Sequence, residues 1–193
     1  AIELFTEGSL NTFAKPTNVD TNSRILCYDI RDLGKQLLPV GMLVVLDSVF
    51  NRIIRNRRLG RSTWVYIDEI YLLFQHEYSA NFLFTLWKRV RKYGACCTGL
   101  TQNVDDLLQS HTARTMLANS EFLVMLNQAS TDRAELARLL NISDNQLSYI
   151  TNVDFGRGLI KCGSAIVPFM DHFPKNNLYR LMSTKPSEAD AAV

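Results

Sequence analysis

Apolar positions along the chain alternate between short bounded runs and longer segments with helical spacing. Within residues 63–74, Val65, Tyr66 and Ile67 are β-branched or aromatic, which predicts a strand buried on both faces as in a parallel sheet. Residues 95–100 predict a second apolar strand and 122–126 a third buried one, while 24–30 alternate into another. Between them, 34–39 open a long helix to about Asn56, with Leu38, Met42, Val45, Val49 and Ile53 at helical spacing and Leu43, Leu46 and Phe50 widening the covered face. Residues 81–93 form an amphipathic helix, Leu83, Leu86, Trp87 and Val90 on one face, which Gly94 ends where a left-handed cap is needed. Val104 starts a further helix. Asp132 with Glu135, and Ser143 with Gln146, have capping-box spacing for helices to Leu140 and Ile150. Residues 157–162, Gly163 and 165–170 read as a hairpin. Residues 1–23 are turns, and from Lys175 the chain is a polar tail whose SEADAAV end frays.

Alternation of strand and helix predicts an α/β fold with a parallel sheet, in which ligands sit beyond the carboxyl ends of the strands. Two strands end there in groups with chemistry. The run at 65–67 is closed by Asp68 and Glu69, and the run at 95–100 by Thr101, Gln102 and Asn103. An apolar strand closed by Asp-Glu is the Walker B pattern of nucleoside triphosphatases: one carboxylate helps hold Mg²⁺ among phosphates and waters, and the other accepts a hydrogen bond from the attacking water. Gln102 repeats the placement with an amide that both donates and accepts, the property of a sensor for the γ-phosphate or the water. The plainer readings are a solvated acidic turn and a polar cap.

Composition narrows this. With 193 residues, 47% of them hydrophobic, the chain suits one sizeable core. A net charge of +2 exerts no general pull on nucleic acid, although Arg52, Arg55, Arg57, Arg58 and Arg61 cluster at the end of the long helix. Phosphates or an acidic neighbour would suit them; so would the dipole of that helix, the better-weighted reading. Cys27, Cys96, Cys97 and Cys162 lack metal-ligand spacing and read as buried small hydrophobes in a reducing compartment. The longest run without charged or polar side chains, 37–46, is far short of a membrane span, no basic start with an apolar core opens the chain, and the start at Ala1 suggests a piece of something longer.

The runs SLNTFAKPTNVD, CYDIRDLGKQL, TWVYIDEIYLLF, RKYGACCTGLTQNV and NSEFLVMLNQASTDRAEL resemble, in that order, the carboxyl-terminal half of the VirB-four family, the conjugation and type IV secretion ATPases also called TraC or TrbE. The resemblance implies a RecA-like P-loop NTPase sheet with flanking helices. It divides the chain into residues 1–23, the end of an inserted helical subdomain or linker, 24–174, the carboxyl-terminal part of the ATPase domain, and 175–193, a tail. It also implies ATP and Mg²⁺ as cofactors, Asp68 on the metal side, Glu69 as catalytic carboxylate, Gln102 as sensor, and an arginine finger from a neighbouring subunit, Arg91 ahead of Arg89 and Arg133. The implied partners are further copies in a homo-oligomer, a hexamer by analogy, with other secretion-channel components, a coupling protein and DNA, at the cytoplasmic face of the membrane. One departure stands against the pattern: no Gly is followed five residues later by Gly-Lys-Ser or Gly-Lys-Thr, and Gly34-Lys35 leads into Gln36. The phosphate-binding loop and its strand are therefore expected upstream of Ala1, leaving the isolated chain inactive. The alternatives are an assembly module without chemistry and a DNA translocase of the HerA or FtsK type.

Overall fold

The computed structural model describes residues 3–8, 11–102 and 104–183, so Asn103 and the SEADAAV stretch lie outside the described residues. The chain divides into two compact units, Ala1–Gln102 and Asn103–Val193, each with a core of its own, where composition suggested a single one.

The first unit begins with short helical turns, α1 at Glu3–Thr6 and a 3-10 turn at Asn11–Ala14. Residues 24–30 do not form the expected strand: among the described residues they have no ladder partner, and Ile25 is exposed. Alternation alone cannot make a strand where no neighbouring strand takes up its hydrogen bonds. The long helix α2 spans Gly34–Arg58. By length and composition alone, its Gln36–Arg58 stretch of 23 residues is apolar enough to cross a membrane, because the helix continues past Asp47 where the uninterrupted run stops. Its Met42, Leu46 and Ile53 are nonetheless buried within the unit.

Strand β1 (Thr63–Ile67) follows, then a 3-10 turn at Ile70–Phe74, α3 (Glu77–Arg89), a second 3-10 turn at Val90–Tyr93, and β2 (Ala95–Gly99). Gly94 adopts φ 63°, as its capping position requires, so the chain reverses directly from helix into strand. The two strands pair in parallel, Thr63 opposite Ala95 through Ile67 opposite Gly99. Ile53, Leu86, Val90 and Ala95 form the buried cluster beneath them, with Val65 and Cys97 packed on it and Phe50 meeting Phe82 and Tyr93 edge-on at 6.1 and 5.6 Å. Each fully buried aliphatic side chain here contributes about 1.5–3 kcal/mol.

Only one face of this sheet is covered. Trp64 and Tyr66 are 65% and 67% exposed, and their register partners Cys96 and Thr98 are exposed beside them, so β1 is half-buried rather than buried on both faces. The expected burial of the cysteines fails for three of the four, for this reason at Cys96. Cys27, Cys96 and Cys162 are exposed, whereas Cys97 faces the helices, and its desolvation, followed by the adjacent Cys96, pushes its thiol up to about 12.

The second unit comprises α4 (Val104–Gln109), α5 (His111–Ala118), β3 (Phe122–Met125), α6 (Ser130–Leu140), α7 (Asp144–Leu147) with a 3-10 turn at Ser148–Ile150, the hairpin of β4 (Arg157–Cys162) and β5 (Ala165–Met170), and α8 (Asn177–Met182). Its sheet is antiparallel in the order β3, β4, β5. Val104, Leu108, Met125, Leu136, Leu140, Ile142, Ile150 and Leu159 make its core. Phe122, Val124 and Leu126 are exposed, so the third strand too is covered on one face only. The Ser143–Gln146 capping box forms as expected. That of Asp132 and Glu135 does not: α6 starts earlier, after Ala129, which leaves Asp132 in the first turn. The stretch from Lys175 expected as a polar tail contains α8, capped by the Asn176 side chain.

Candidate active site

Parallel pairing puts the carboxyl ends of β1 and β2 on one edge, and the groups of interest follow them directly. Leu100 N–H donates to Ile67 O at 2.8 Å, and Ile70 N–H donates to Leu100 O at 2.9 Å. In an uninterrupted parallel ladder the second bond would come from Glu69. Two residues, Asp68 and Glu69, thus stand opposite the single Leu100, the count of a β-bulge, which turns side chains away from the regular strand alternation.

The extra residue is accommodated by Glu69 in the left-handed region, φ 46° and ψ 49°. The Asp68 carboxylate accepts the Glu69 N–H at 3.0 Å, and Glu69 Oε2 accepts a long hydrogen bond from Gln102 N–H at 3.5 Å. Asp68 and Gln102 are exposed and Glu69 is half-buried. Among the described residues neither carboxylate is in an ion pair, so both keep acceptor capacity for a ligand.

The arginines divide differently. Arg89 closes α3 and Arg91 lies in the turn before β2, both exposed, at the amino ends of the strands. A five-residue strand rises about 16 Å, so neither reaches the carboxylates of its own chain. Arg133 lies on α6 in the second unit. The cluster at the end of α2 is partly spent within the first unit: Arg52 donates to the carbonyls of Thr21 and Ser23, Arg55 to Asn22 Oδ1 at 3.3 Å, and Arg57 stacks over Tyr93 at 5.3 Å. These contacts tie the helix to residues 21–23 and to Tyr93, a use that neither the phosphate reading nor the helix-dipole reading anticipated.

The TraG P-loop domain family matches residues 15–157. This chain belongs to that family. Among solved structures, the TraG P-loop chain is similar to VirB4 of Thermoanaerobacter pseudethanolicus, at 25% identity and a TM-score of 0.79, over 92% of this chain and 49% of that one. It therefore spans about half the length of that protein. No curated protein sequence matches. The resemblance to the conjugation and type IV secretion ATPases holds, and the fold is their RecA-like α/β fold.

Membership of a P-loop family implies a nucleotide ligand, which such families usually bind with Mg²⁺. The donor set fits. Among the described residues no group of three or more His, Cys, Asp and Glu gathers as a protein-only metal cage. Mg²⁺ in nucleotide sites takes one or two carboxylates and completes its shell with water and phosphate oxygens, which Asp68 and Glu69 can serve.

Sequence reasoning placed Asp68, Glu69 and Gln102 at these strand ends but missed Leu100 and Ile70, whose backbone bond closes the turn carrying the carboxylates, and Gly99, against which Ile70 packs. A glycine inside a strand pattern was the available signal, since it marks a close approach of another chain segment.

Proposed function

We propose that residues 24–174 are the carboxyl-terminal part of an ATP-hydrolysing motor domain of a type IV secretion or conjugative transfer system, with 1–23 the end of an inserted subdomain or linker and 175–193 a tail. The observation that carries this reading is the bulge at Asp68 and Glu69, with Gln102 beside it at the carboxyl edge of a parallel pair. Mg²⁺, when bound with ATP, offsets charge developing on the transferred phosphoryl group. Asp68, the more exposed carboxylate, receives that ion or its water shell. Glu69 accepts a hydrogen bond from the attacking water and orients it, and the Gln102 amide donates to one oxygen while accepting from another.

The remaining charge is met by an arginine from a neighbouring subunit, Arg91 first and Arg89 or Arg133 behind it. The position of Arg91 at the far ends of the strands supports service in trans, because a guanidinium that cannot reach its own site can be presented to the next one. In this reading the phosphate-binding loop lies outside these 193 residues, the active form is a ring of copies, and the assembly sits at the cytoplasmic face of the membrane against channel components and a coupling protein.

Substitution in the full-length protein tests the assignment. Glu69→Gln is expected to keep ATP binding and lower turnover by at least about 100-fold, the scale of a lost general base. Asp68→Ala is expected to weaken Mg²⁺-dependent binding as well. Wild-type turnover in the Glu69→Gln protein would end the catalytic reading.

A further inference from the structure

We propose that Gly99 is a positioning residue for the Glu69 carboxylate, an inference that rests on Glu69 preparing the attacking water. Glu69 holds a left-handed backbone, a conformation costly to any residue with a Cβ and kept only where the surroundings enforce it. The enforcement comes from the next residue. Ile70 is 5% exposed, its N–H bonds Leu100 O at 2.9 Å, and its side chain lies across the last residue of β2.

That last residue is Gly99. A Cβ there would stand 2.5 Å from Ile70 Cδ1, 3.2 Å from Cγ2 and 3.4 Å from Cβ. The first overlap is the severe one: Ile70 is 5% exposed, so Cδ1 can swing aside only against its own packed neighbours. Cγ2 must give by a few tenths of an ångström, while the Cβ contact is of ordinary van der Waals length. A Cβ at position 99 therefore pushes the buried Ile70 side chain through Cδ1, which strains its bond to Leu100 and relaxes the turn that brings Glu69 Oε2 to Gln102 N–H. Gly99 touches no nucleotide in this arrangement; it acts through Ile70 on the direction of a carboxylate.

The test compares Gly99→Ala, Ile70→Val and the double variant. In the full-length protein Gly99→Ala is expected to lower kcat at least about ten-fold, with KM for ATP within about two-fold, since a misdirected water-holding group affects the chemical step more than binding. Amide exchange at Ile70, read by NMR, is expected to quicken at least about ten-fold while exchange at buried Leu86 keeps its rate, a local opening that general destabilisation would not give. Ile70→Val removes Cδ1, the atom in closest conflict, so the double variant recovers both values toward wild type; it also serves where Gly99→Ala alone does not fold. Unchanged Ile70 exchange or unchanged kcat in Gly99→Ala, or a double variant no better than the single, overturns the proposal. A wild-type protein without ATP turnover would overturn the hydrolysis reading instead, while the exchange measurement, which needs no nucleotide, still decides the steric claim.

Discussion

The two units cover one face of a small sheet in the same way and differ in what their strand ends carry. In the first, β1 and β2 are parallel, so both carboxyl ends lie on one edge and Asp68, Glu69, Thr101 and Gln102 gather there. In the second, β3, β4 and β5 alternate in direction, so each edge mixes strand starts and strand ends. Its described ion pairs lie away from any shared strand end, Arg114 with Glu135 at 2.6 Å between α5 and α6 and Arg157 with Asp154 at 3.7 Å. Burial is alike in both, since each sheet leaves apolar side chains on its uncovered face: Trp64 and Tyr66 in the first, Phe122, Val124 and Val167 in the second. What concentrates chemistry is therefore the polarity of strand pairing, because only parallel strands bring like ends together.

If burial holds the two units equally, matched truncations should cost equally. Leu86→Ala in the first core and Ile150→Ala in the second, both essentially inaccessible, are each expected to cost about 2–5 kcal/mol in denaturant unfolding, followed through amide exchange in the unit concerned. A cost under about 1 kcal/mol at either site would mean that the unit is held by something other than its cluster.

A smaller contrast lies at the helix starts. Ser143 caps α7 and accepts the Gln146 N–H, whereas α3 begins after His76, whose side chain makes no capping bond although its backbone is extended as a cap requires. Ser143→Ala should lower stability by about 1 kcal/mol, and His76→Asp should raise it by about 0.5–1 kcal/mol. A destabilising His76→Asp would show that the start of α3 has no room for a cap.

The smallest effect concerns the thiols. Disulfide-exchange labelling of the native protein at neutral pH should modify Cys27, Cys96 and Cys162 quickly and Cys97 slowly, because the covered thiol is neutral and hidden. Its folded value of about 12 stands above the ordinary thiol value of 9.0, so the folded state holds this proton more tightly. The associated stability is complete below pH 9 and is lost as pH rises toward 12, so Cys97→Val should flatten the alkaline fall in melting temperature relative to wild type. Equal labelling of all four thiols would contradict the covered face assigned to β2.

The sequence by itself determined the elements whose signals are local. The β-branched run before Asp68, the helical spacing through α2, Gly94 at the end of the helical segment before β2, the Ser143–Gln146 box and the hairpin around Gly163 were legible because a few neighbouring residues decide each. The carboxylates and Gln102 were legible as residues that follow strands. Tertiary structure decided the rest. Whether residues 24–30 become a strand depends on a partner, and whether Trp64, Cys96 or Phe122 is buried depends on which sheet face the helices cover; alternation along one strand specifies neither. The bulge at Asp68 and Glu69 exists only between two strands, as a mismatch of one residue against Leu100, and Ile70 packs there against the glycine that ends the neighbouring strand. A side chain's type is written in the sequence, but its direction here is fixed by hydrogen bonds and contacts with residues about thirty positions away.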